Sequence, residues 1–218
     1  KVIFKFPETE KNIVYFYNFD SVQTRVRMEF PGEIYQVEGE PVYNLFNEYF
    51  DGSLGSIVFQ EMREKRALAY SAWSRYFPIG NKNEQNLFIA GIATQADKTI
   101  DAISEFQKII YKVPFDEKRF AVAKSALTSK ALSSRVGFRS LAAVIQGWEE
   151  LDLTADPEEA KMATTKKLTL DDIKTFTQSK INGRKFVITV VGDKKRLDME
   201  NLADFGEIIE VGSAEISN

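Results

Sequence analysis

Arg63 and Tyr70 stand seven positions apart in YFDGSLGSIVFQEMREKRALAYSAWSRY, residues 49–76. Their side chains suit work on a carboxylate or carbonyl group. A guanidinium is a rigid fork of donors that fits a carboxylate or carbonyl. A phenol is a neutral donor that can reach an oxygen on which negative charge develops. If the helix carrying Arg63 crosses the edge of the sheet that Tyr70 enters, the two converge on one cleft. A plainer account also fits the spacing. Arg63 can pair with Glu61, Glu64 or a distant carboxylate, and Tyr70 can fill the margin of the core. What is missing is as informative. The sequence has no histidine and no cysteine. It therefore has no imidazole base, no Ser-His-Asp or Cys-His pair, and none of the usual zinc ligands.

Other candidate groups in the sequence point to structure. Gly52 and Gly55 in DGSLGS lack the lysine and spacing of a phosphate loop and read as a tight turn before a helix. Gln60 and Glu61 hint at acid-base work, but Glu61 has no recognisable carboxylate partner in the sequence. Glu149, Glu150, Asp152, Asp156, Glu158 and Glu159 read as a solvated helix junction rather than a metal site. The short basic clusters Lys166-Lys167 and Lys194-Lys195-Arg196 read as surface or turn. A formal net charge of -3 over 218 residues gives no general attraction for nucleic acid or anionic membrane. No apolar run reaches the ~18 residues of a membrane span. The first residues do not form a signal peptide. A start at Lys1 rather than Met predicts a piece of a longer chain, so cytoplasm and periplasm are both open.

Elements that can position Arg63 and Tyr70 follow from periodicity. Ile13–Tyr17 reads as a strand. In the next strand Val22, Thr24, Val26, Met28 and Phe30 share one face and Gln23, Arg25, Arg27 and Glu29 the other, with Pro31-Gly32 expected to end it. Val42, Leu45, Phe46, Tyr49 and Phe50 form the apolar stripe of a helix opened by Pro41. A second short helix is expected over about 56–65, with Ile57, Phe59, Met62 and Arg66 available for contacts. Residues 70–77 and 87–94 read as a hairpin. Three helical patterns follow: one with Ile100, Ile103, Phe106 and Ile110; one beginning near Asp116; and one over 136–148, kinked if it includes Gly137. Asp156 with Pro157, and Thr169 with Asp172, mark two more helix starts. Residues 186–191 form an apolar strand suited to a sheet centre, and 208–211 a final edge strand. The expectation is one α+β domain over 1–218, with a mostly antiparallel sheet and helices packed on one face.

The segment NLFNEYFDGSLGSIVFQEMREKRALAYSAWS, with its Gly/Ser loop, aromatic-rich helix and REKxxLAY-type ending, resembles the zinc-free, C-terminal-type domain of the M16, or pitrilysin-like, zinc peptidases. QTRVRMEF, the hairpin, the helices and FVITVVGD follow the same order, so the resemblance extends over nearly the whole chain. It implies that this chain pairs with a homologous domain bearing an inverted zinc motif, HxxEH, in cis or in trans. Zinc would lie in that complementary domain or subunit, and this chain would bind neither metal nor another cofactor. The substrate would be a peptide or unfolded polypeptide enclosed between the halves, with strand addition at a sheet edge as a binding mode. The resemblance further implies that Arg63 and Tyr70 hold and polarise the substrate backbone. Two alternatives are a catalytically inactive structural or assembly subunit of the same fold, and a peptide-binding module without chemistry.

Overall fold

The computed structural model describes residues 5–64, 69–134 and 136–216. Six strands form one sheet: β1 (Ile13–Asn18), β2 (Gln23–Ile34), β3 (Ser71–Phe77), β4 (Gln85–Gln95), β5 (Val187–Gly192) and β6 (Glu207–Glu210). Their order is β3-β4-β2-β5-β1-β6. Pairing is antiparallel from β3 through β4 and β2 to β5; β1 joins β5 in parallel, and β6 joins β1 in parallel. The expected α+β class is observed, with antiparallel pairing confined to one side of β5. That late strand inserts between β1 and β2, an interior position that matches its apolar run.

Alternation decides which face is buried. Val14, Phe16, Val26, Met28, Phe30, Ile188 and Val190 point to the covered face. The longer helices among the described residues are, in chain order, α1 (Glu40–Asp51), α2 (Thr99–Tyr111), α3 (Glu117–Ser133), α4 (Leu141–Glu150), α5 (Glu158–Lys167) and α6 (Leu170–Phe176). Leu45, Phe46, Tyr49 and Phe50 of α1, Ile103 and Phe106 of α2, and Ile173 and Phe176 of α6 complete one apolar core with that face. Within it, Phe30 stacks on Phe88 at 4.8 Å between ring centres, and Phe186 meets Phe30 edge-on.

Helix starts follow local chemistry. Asp116 caps α3 by accepting the Arg119 N–H. Thr169 and Asp172 form the expected reciprocal capping box of α6. Asp156 accepts the Glu158 N–H, and α5 begins one residue later than Pro157. Two expectations are corrected. Residues 136–148 do not form one kinked helix: Gly137 is extended, a 3-10 turn covers Phe138–Ser140, and α4 starts at Leu141. Pro31-Gly32 does not end β2; the strand runs on to Ile34 through a register shift. The lost proline donor is tolerated at this irregularity. Gly32 is needed there because a Cβ would lie 2.3 Å from the Tyr76 hydroxyl.

Candidate functional site

The segment around Arg63 and Tyr70 begins where α1 stops. Asp51 closes the helix, and Gly52 sits so near Glu48 that a Cβ would come within 2.5 Å of its Cα. The turn that follows is tied down by its own groups. Gln60 Nε2 donates to the Leu54 carbonyl at 2.7 Å, and Arg119 Nε to the Gly55 carbonyl at 3.2 Å. Gln60 is thus a loop anchor, and DGSLGS is the expected turn. The short helix after it is a π-turn over Phe59–Glu64, with Ile57, Val58 and Met62 buried beneath it. Arg63 lies on this turn, but its side chain, like Arg66 as a whole, falls outside the described residues.

Tyr70 enters the sheet just before β3. Its N–H donates to the carbonyl of Ala93, the residue paired with Ser71 at the end of the β3–β4 ladder, at 2.8 Å. Its ring is 53% exposed. The hydroxyl oxygen accepts from Gln95 Nε2 at 2.9 Å. Accepting that bond leaves the phenolic proton able to donate elsewhere.

Tyr70 borders a concavity of about 560 Å³ on the uncovered face of the sheet, together with Arg25, Arg27, Trp73 and Thr189. The β2–β4 and β3–β4 registers place Arg25 and Ser71 on either side of Ala93, and Arg27 and Trp73 on either side of Gly91. The floor is therefore made of the two smallest residue types. A Cβ on Gly91 would lie 2.5 Å from the Trp73 indole, so the ring rests against bare backbone.

The edge of the sheet beside this concavity is closed by helix side chains. Asn47 Oδ1 accepts the Tyr76 N–H and Asn47 Nδ2 donates to the Tyr76 carbonyl, both at 2.8 Å. Asp51, one helical turn on, accepts the Ser74 N–H at 2.8 Å. Burial pushes the Asp51 carboxyl up to about 6, against the lowering effect of the Ser74 amide. A polypeptide cannot add as a strand at Ser74 and Tyr76 without displacing these groups. The edge-strand mode expected from sequence is blocked along that stretch of β3. Asn47 and Asp51 have the i, i+4 spacing of one helix face, a legible signal; that this face meets a strand edge is not.

The acidic stretch is divided among local partners. Asp152 pairs with Lys82, Asp156 accepts the Glu158 N–H ahead of α5, and Glu158 pairs with Lys161. Among the described residues, no group of three His, Cys, Asp or Glu side chains is arranged to hold a metal. In the second basic cluster, Lys194 pairs with Glu210 and Arg196 with Asp193. Among the described residues, no helix is long and apolar enough to cross a membrane.

The sequence matches the family model of the peptidase M16 inactive domain over residues 1–127. The chain belongs to the M16 inactive-domain family. No curated protein matches its sequence. Among solved structures it is similar to a peptidase M16 inactive domain from Pseudomonas fluorescens, with a TM-score of 0.74 and 21% identity over 89% of this chain and 47% of that one. A conserved protein from Enterococcus faecalis V583 gives a TM-score of 0.70 and 16% identity, covering 89% of this chain and 45% of that one. A protease from Helicobacter pylori gives 0.69 and 9%, covering 85% and 45%. The chain therefore spans less than half the length of these three solved chains.

Proposed function

We propose that this chain is the zinc-free half of an M16 metalloendopeptidase, closing a substrate chamber opposite a homologous HxxEH-bearing domain in cis or in trans. The observation that carries the proposal is Tyr70: a half-exposed phenol at the rim of the open concavity, with its oxygen held by Gln95 and its proton free to donate. The chain's own donor set does not fit zinc. It has no histidine or cysteine, and among the described residues no acidic cluster takes their place. On this reading zinc lies in the complementary half, and hydrolysis needs both halves.

In the assembled enzyme Tyr70 donates to the scissile carbonyl oxygen as it becomes an oxyanion. Arg63 binds a neighbouring backbone carbonyl of the peptide or unfolded polypeptide and sets its register. A bond that tightens as charge develops contributes to turnover more than to binding. Tyr70→Phe, assayed after reconstitution with the HxxEH-bearing half, is expected to lower kcat by about 100-fold with a smaller change in KM. Unchanged turnover would overturn this role for Tyr70. Failure of any HxxEH-bearing half to restore hydrolysis would favour an assembly subunit of the same fold.

A further inference from the structure

The open concavity is cationic as well as aromatic, on a chain whose net charge is -3. Its two β2 arginines are not equivalent. Arg27 Nε donates to Glu29 at 2.6 Å, so a carboxylate on the same strand face already offsets its charge. Arg25 makes no ion pair among the described residues. It is exposed on β2 beside Ala93, whose small side chain leaves the space in front of the guanidinium open. On the far side of the same floor lies the Trp73 indole, 42% exposed and flat against Gly91. A guanidinium facing a shallow trough binds a carboxylate through paired N–H donors, and an indole face takes up the aliphatic stem or neighbouring apolar side chain.

We infer that the trough between Arg25 and Trp73 is a specificity subsite for polypeptide segments that place an aspartate or glutamate against Arg25 and an apolar group on Trp73. Charge complementarity selects this occupant: the unneutralised group in the trough is a cation, and its shape is open, shallow and lined with backbone. The inference rests on the reading that this face meets polypeptide, and it names which polypeptides. Because the β3 edge is closed at Ser74 and Tyr76, the segment lies across the sheet face and is held by side chains rather than by strand pairing.

The test uses the two tryptophans of the chain, Trp73 and Trp148. In a Trp148→Phe background, Trp73 emission is titrated with a short extended peptide carrying aspartate, glutamate and leucine, and with its asparagine/glutamine counterpart. The expected result is a saturable change in emission with about tenfold tighter binding of the acidic peptide, a preference that shrinks as salt is raised. Arg25→Gln abolishes the preference. Calorimetry on the unmodified chain measures the same two affinities without the Trp148 change. Equal affinities, a preference that survives Arg25→Gln, or no saturable binding of either peptide would each overturn the inference. The readout is binding, so it is separable from the turnover effect expected of Tyr70→Phe: either can fail while the other stands.

Discussion

Val26 and Met28 are buried on one face of β2, whereas Arg25 and Arg27, each one position away, line the open face. The same alternation runs through β3, where Ser74 and Tyr76 are buried and Trp73 and Arg75 are exposed. Helices α1, α2 and α6 supply partners for the first face. On the second, the strands present arginine and tryptophan over a floor of glycine and alanine. One face is thus filled by packing, and the other is shaped by leaving residues small. Side chains on the first answer to volume and those on the second to whatever approaches from outside.

The largest expected effect breaks the covered face. Phe88 is fully buried and stacked on Phe30. Phe88→Ala is expected to cost about 3–5 kcal/mol in denaturant unfolding, whereas Trp73→Ala, on the open face of the neighbouring strand, should cost less than about 1 kcal/mol. Comparable losses would show that the open face is part of the core.

The closed edge gives the next effect. Asn47→Ala strands both the N–H and the carbonyl of Tyr76 at a half-covered strand edge. A loss of about 2–3 kcal/mol is expected, together with faster amide exchange along β3. No change in exchange would show that helix α1 does not guard this edge.

The smallest effect sharpens the same boundary through pH. The Asp51 carboxyl titrates at about 6 in the fold against an ordinary 3.8, so the folded state binds its proton more tightly than the unfolded chain does. The stability associated with that proton is present below the ordinary value and is lost as pH rises through about 6. Allowing for partial solvent screening, the loss amounts to about 1–2 kcal/mol. Asp51→Asn keeps an acceptor for the Ser74 N–H and has no proton to lose. The stability difference between the two proteins should change over this pH window and flatten above it; a pH-independent difference would remove Asp51 from this account.

Much of the frame was legible from local signals. The alternation from Thr24 to Phe30, the stripe of α1, the Thr169–Asp172 capping box and the hairpin each depend on residues close in sequence, and each formed as expected, whereas Val22, expected on the buried face, is exposed just ahead of β2. The breaks were less legible. Pro31-Gly32 has the composition of a terminator, yet it becomes an irregularity within β2 because Tyr76, distant in sequence, needs the space in front of Gly32. Asn47 and Asp51 read as the polar side of an amphipathic helix. Their work at the β3 edge depends on how the helix packs, which the spacing does not encode. The Arg63 side chain lies outside the described residues, so its convergence with Tyr70 rests on the family resemblance and the proposed mechanism.

The sequence alone determined the donor inventory. A chain without histidine and cysteine lacks the usual zinc ligands whatever its fold, because ligand chemistry is a property of side chains and not of their arrangement. It also determined which residues share a strand face, since that period is covalent geometry. Only the tertiary structure decided which face stayed open, that β5 enters between β1 and β2, that the β3 edge is sealed, and that Tyr70, Arg25 and Trp73 border one concavity. Those outcomes depend on long-range packing and register, where strands far apart in sequence place small residues beside large ones.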